Sequence, residues 1–102
     1  MNVIKMGLAA VDLGKIEKGS KTKFGVVIYN EGNEHTHLET WASCGCTKPV
    51  IEPNVVPPGG TAIMTVVFDS TGKSGIQEKK FGLNYKHDNV AYGVTLTLKA
   101  KI

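Results

Sequence analysis

The chain has no arginine among its 102 residues, and this absence narrows what it can recognise. Nucleic-acid readers lean on the bidentate guanidinium fork and on a concentrated basic stripe. Here twelve lysines are scattered along the chain and the formal net charge is only +3, so specific nucleic-acid binding is not expected. Long apolar runs are missing too, which excludes a helical membrane span. Met1 to Gly7 is too short and too interrupted for the apolar core of a signal peptide. The expectation is a protein that stays where it is made, cytoplasmic as synthesised. Two cysteines are too few for a disulfide framework, and in a cytosol they would be reduced thiols. Catalytic signatures are also lacking: there is no Gly-x-Ser-x-Gly elbow, no phosphate loop and no His-Glu-x-x-His pair. Asp12, Asp69 and Asp88 fall at strand ends or turns, where aspartate caps backbone amides. Neither an enzyme nor a cofactor is expected.

What is present is an apolar period of two, punctuated by glycine and proline, over a length that suits one domain. Seven strands follow from it: Leu8 to Leu13, Thr22 to Asn30, Thr36 to Ser43, Val50 to Glu52, Thr61 to Phe68, Ile76 to Tyr85 and Tyr92 to Ile102. The last is the clearest, with Val94, Leu96, Leu98, Ala100 and Ile102 alternating against Thr95, Thr97, Lys99 and Lys101. One apolar face per strand requires a second sheet to cover it. The predicted fold is an all-β, seven-stranded, immunoglobulin-like antiparallel sandwich over residues 8–102, preceded by an N-terminal arm, residues 1–7. The first and last strands would be its free edges.

Asp12-Leu13-Gly14, Phe24 to Asn30 with Glu31-Gly32, Ser43-Cys44-Gly45-Cys46-Thr47, Pro57-Pro58-Gly59-Gly60 and Phe68-Asp69 with Gly72 and Gly75 form a pattern. It resembles a bacterial and phage domain family of unknown function marked by Cys-Gly-Cys-Thr. That family is similar to the ASH (Hydin-type) and major-sperm-protein immunoglobulin-like domains. The resemblance spans about residues 8 to 100. It implies the sandwich fold and a non-enzymatic interaction or structural role, with no defined activity.

Cys44 and Cys46 are the first candidates for chemistry. Two residues apart in an extended strand, their Cα atoms would lie roughly 6.6 Å apart. The Cβ atoms would exceed the ~3.8 Å of a disulfide, so a bridge requires a turn at Gly45, which glycine permits. The functional alternative is a soft-metal or redox site. His35 and His37 are the natural extra ligands for zinc, but parity puts them on the face opposite the cysteines in an unbroken strand. The reading adopted is structural, with both thiols as small packing groups and no metal bound. A second candidate gathers His35, His37 and His87-Asp88 at one end of the sandwich, as a metal site, a pH-sensitive surface or solvated loop residues. Trp41 sits where such sandwiches keep a core tryptophan, yet it shares parity with the polar His37 and Glu39. Either a bulge turns it inward, the reading adopted, or it marks a contact patch.

The expected function is a non-catalytic structural or accessory module docking on a larger assembly of protein partners. The resemblance implies a phage virion surface, as in capsid decoration, as the most concrete case. Met1, Val3, Ile4 and Met6 would form an apolar docking arm. The rival is a small metal- or redox-handling protein that uses Cys44 and Cys46.

Overall fold

The computed structural model describes residues 3–102. Ten strands follow in chain order: β1 (Ile4–Met6), β2 (Ala10–Lys15), β3 (Lys21–Asn30), β4 (Thr36–His37), β5 (Glu39–Ala42), β6 (Thr47–Glu52), β7 (Val55–Val56), β8 (Thr61–Asp69), β9 (Ile76–His87) and β10 (Val90–Lys101). They form one sheet of order β1-β3-β8-β6, a second of order β2-β10-β9-β5, and a β4-β7 pair. The all-β immunoglobulin-like sandwich is as predicted. Ten strands replace seven: β1 is added at the start, the predicted third strand divides into β4 and β5, and β7 is added after β6 to pair with β4.

Strand alternation builds the core directly. Val26 and Ile28 of β3 and Ala62, Met64, Val66 and Phe68 of β8 are buried. They meet Phe81 and Leu83 of β9 and Leu96 and Leu98 of β10. Phe24 closes one end edge-on against Phe81, with ring centroids 6.1 Å apart.

The first passage between sheets corrects the N-terminal arm. Val3 and Ile4 are only 5% and 2% exposed, and Met6 packs against the core. β1 pairs antiparallel with β3, Ile4 opposite Asn30, before the chain crosses to the other sheet as β2. Lys5 points out while Ile4 and Met6 point in, which is the alternation of an edge strand rather than a tether. The Tyr85 hydroxyl meets the backbone of Ile4 and Val3, and burial pushes its pKa up. Val3, Ile4 and Met6 are therefore structural, and the sandwich begins with them; Met1 lies outside the described residues. Leu8, expected in a strand, is exposed.

The second passage splits the predicted third strand. Leu38 is buried between β4 and β5, and its N–H donates to the Asn54 carbonyl at 2.7 Å. β4 thus pairs with β7, and β5 joins β9. The last strand is not an edge: β10 lies between β9 and β2, pairing parallel with β2. The edges are β1, β6, β2 and β5. β9 and β10 also run further than predicted, since Asp88 and Asn89 both take positive φ (52° and 62°) and form a two-residue turn of type I′.

Trp41 is half-buried on the outer face, opposite Gly82, so the core reading is corrected. Only glycine fits at 82: a Cβ there would overlap the Val94 carbonyl and crowd Trp41 Nε1. We expect Gly82→Ala to lower unfolding stability by about 2–4 kcal/mol in urea titrations, because the backbone ladder must yield. A loss within experimental error would show that the ladder gives way freely. Asn30 is buried and donates to the carbonyls of Glu34 and Val56, both at 2.9 Å, while accepting from Gly32 N–H at 2.9 Å. Asn30→Ala leaves those carbonyls unmatched and is expected to cost about 2–3 kcal/mol by the same measurement.

Candidate interaction surfaces

Burying one face of β3, β8 and β6 sends their alternate residues outward. On that outer face Val27, Tyr29, Ile63 and Val50 are 37%, 44%, 45% and 64% exposed. The ladder brings them together: Val27 is opposite Ile63, Tyr29 opposite Thr61, and Val50 opposite Thr65. Gly25 has no side chain to intervene, and a Cβ placed there would lie 3.6 Å from the Ile63 Cγ2. Lys5, beside Tyr29, and Lys23 and Lys48, both opposite Val67, form a cationic rim, with Glu52 beside Ile63. Single exposed apolar residues are ordinary, but a contiguous set with a charged rim is the pattern of a contact surface. The period of two in β3 sends Val27 outward between the buried Val26 and Ile28. That four such residues converge depends on the cross-strand register, which the sequence does not display.

The opposite outer face is more polar. Near the β9–β10 turn, an open groove of about 570 Å³ is lined by His37, Glu39, Asn84, Lys86, Tyr92 and Gly93, among others. Tyr92 stacks on Tyr85 with ring centroids 5.4 Å apart.

The expected histidine cluster forms only in part. The loop after β3 does meet the β9–β10 turn, but Glu34 makes the contact, and His35 and His37 are exposed outside the cluster. The half-buried His87 ring lies between two carboxylates, with Nδ1 3.2 Å from Glu34 Oε1 and Nε2 3.3 Å from Asp88 Oδ2. Nδ1 is buried, and its approach to Glu34 lacks the alignment of a hydrogen bond. Among the described residues, Glu34, His87 and Asp88 are the grouping with metal-ligand character. The two carboxylates approach different ring nitrogens, while one ligand atom from each of the three residues lies within 4.8 Å of the others. The arrangement brings the loop after β3 against the β9–β10 turn. Glu34 was missed because its strand parity carries no signal once the chain enters a loop.

Cys44 and Cys46 are joined by a disulfide, with Cα atoms 5.2 Å apart. This corrects the reading as separate thiol packing groups. The turn at Gly45 supplies the shortening that an extended strand forbids, and the Thr47 N–H closes it by donating to the Cys44 carbonyl at 3.1 Å. Cys46 packs against the core, whereas Cys44 stands outside it. Beside this turn, Asp69 accepts from the Thr71 hydroxyl at 2.7 Å and from the Thr71 N–H at 3.0 Å.

The Thr71 hydroxyl is the main cause that holds the Asp69 carboxyl below the ordinary range; the Thr71 N–H, Lys21 and Lys48 act in the same direction. A carboxylate with a lowered folded pKa stabilises the fold above its unfolded pKa and loses that contribution as pH falls through the folded value. Thr71→Val should therefore raise the Asp69 pKa toward that of a free aspartate in an NMR titration, shifting this loss to higher pH. An unchanged pKa would assign the shift to the Thr71 N–H and the lysines instead.

The chain is similar over 98% of its length to a protein of unknown function from Porphyromonas gingivalis W83, at 17% identity and TM-score 0.83, covering 46% of that protein. It is similar over 99% of its length to the VesB protease of Vibrio cholerae, at 12% identity and TM-score 0.80, covering 32%. A third similar structure is the ASH/PapD-like domain 7 of human CEP192, at 10% identity and TM-score 0.76, with 97% of this chain and 84% of that one covered. The chain thus spans less than half of the first two proteins, and at these identities the likeness establishes a shared fold. No curated protein matches it. The profile of DUF1573, a family of proteins of unknown function, matches residues 4–102, and the chain belongs to that family.

Proposed function

We propose that this domain is a non-catalytic interaction module that docks on a larger protein assembly through the outer face of the β1-β3-β8-β6 sheet. The observation that carries this reading is the contiguous apolar set Val27, Tyr29, Ile63 and Val50 inside its lysine rim. Exposed aromatic and aliphatic anchors with a charged border are what a protein partner desolvates. The CEP192 neighbour, an ASH/PapD-like domain, adds support by analogy of fold, which does not itself fix function. The most concrete assembly remains a phage particle surface. The docking arm has no place in this proposal, because Val3 and Ile4 are committed to the core.

The test is sedimentation of tagged protein from its native cells. The wild type should travel with a high-mass assembly, and with phage particles in a density gradient if the virion reading holds. Ile63→Lys should release it, about tenfold or more in apparent affinity for loss of a central anchor. Ile76→Lys, at an 83% exposed position off this face, should not. Retention of Ile63→Lys with an unchanged melting temperature would remove this face from the account.

A further inference from the structure

We propose that the Cys44–Cys46 disulfide is a thiol–disulfide exchange site, with Cys44 as the exchanging sulfur and Cys46 as the leaving one. Its substrate class is a polypeptide segment bearing a pair of cysteine thiols. This inference does not rest on the apolar face.

A staple earns its place by closing a long loop, since stabilisation grows with the logarithm of loop length. This bridge spans a sequence separation of 2, near the bottom of that scale. Nor does the turn need it. Ser43 N–H donates to the Lys80 carbonyl at 2.9 Å, Lys80 N–H to Ser43 Oγ at 3.1 Å, and Asp69 N–H to the Cys46 carbonyl at 2.8 Å. Both stems are thus fixed to neighbouring strands, so the sulfurs stay adjacent after reduction.

The two sulfurs are unlike. Cys44 Sγ accepts the Cys46 N–H at 3.1 Å, a bond that favours the thiolate over the neutral thiol. Thiolate character governs exchange. Cys46 Sγ packs on the core with the buried Thr47 hydroxyl 3.7 Å away, placed to support it as a leaving group. The turn also joins β5 to β6, an edge strand of each sheet, so an extended segment can approach along either edge.

The exchange balances as follows. A partner thiolate attacks Cys44 Sγ, and the Cys44–Cys46 bond breaks with its electron pair passing to Cys46 Sγ. The partner's second thiolate then attacks the partner sulfur of the mixed disulfide and releases Cys44. Two electrons and two protons leave the partner, which becomes a disulfide, and the protein gains two thiols.

Two measurements test this on the full chain. Oxidised protein mixed with a synthetic two-cysteine peptide should yield peptide disulfide and protein dithiol in equal amounts, with the strand circular-dichroism signature retained. Cys46→Ser, offered glutathione disulfide as the probe, should form the mixed disulfide at Cys44 about tenfold faster than Cys44→Ser forms it at Cys46. A peptide that stays reduced, equal capture rates, or unfolding on reduction would each overturn the assignment.

Discussion

Two dry faces closing on each other position everything else in this molecule. Met64, Val66 and Phe68 from one sheet meet Phe81, Leu83, Leu96 and Leu98 from the other, all fully buried. The driving force is roughly 25 cal/mol per Å² of apolar surface, non-directional and therefore indifferent to sequence detail. Its structural consequence is directional all the same. Because successive side chains alternate, each residue fixed inward commits its neighbour outward, and the outer faces are written by the same step that builds the core.

Polar groups then fix what burial leaves undetermined. Asn30 holds the loop after β3 to Val56 and to Glu34, and so sets where β4 and β7 pair. Ser70, fully buried, donates to the Glu17 carbonyl at 2.7 Å and accepts from Ser20 N–H at 2.9 Å, tying the β2–β3 turn to the end of β8. These bonds lie at loop ends because buried backbone groups outside the ladders need partners.

The exposed apolar face and the disulfide turn are separate products of that frame. The first is an exposed apolar patch on an outer sheet face. The second is a local covalent device on a fixed stem. The two proposals are separable, because one rests on exposed area at Ile63 and the other on sulfur chemistry at Cys44.

Much of the fold was legible in the sequence. The alternation from Val94 to Ile102 and from Ala62 to Phe68 required two covered sheets, whatever their order. The Cys-Gly-Cys spacing stated that a bridge needs a turn at Gly45. Other features were illegible for a common physical reason: they depend on contacts between residues distant in the chain. The short apolar run Val3 to Met6 reads equally as a tether or an edge strand until β3 and Tyr85 receive it. Leu38 looks like an ordinary strand residue until Asn54 accepts its N–H. Trp41 stays outside because Gly82 leaves room for it there, a pairing set by register across forty-one positions. Glu34 reached His87 only once two loops had met. The sequence by itself determined the layers, since a period of two is a local property of the chain. Only the tertiary structure decided the edges, the crossings and the neighbours of each candidate site, because register is chosen by the energy of the whole assembled core.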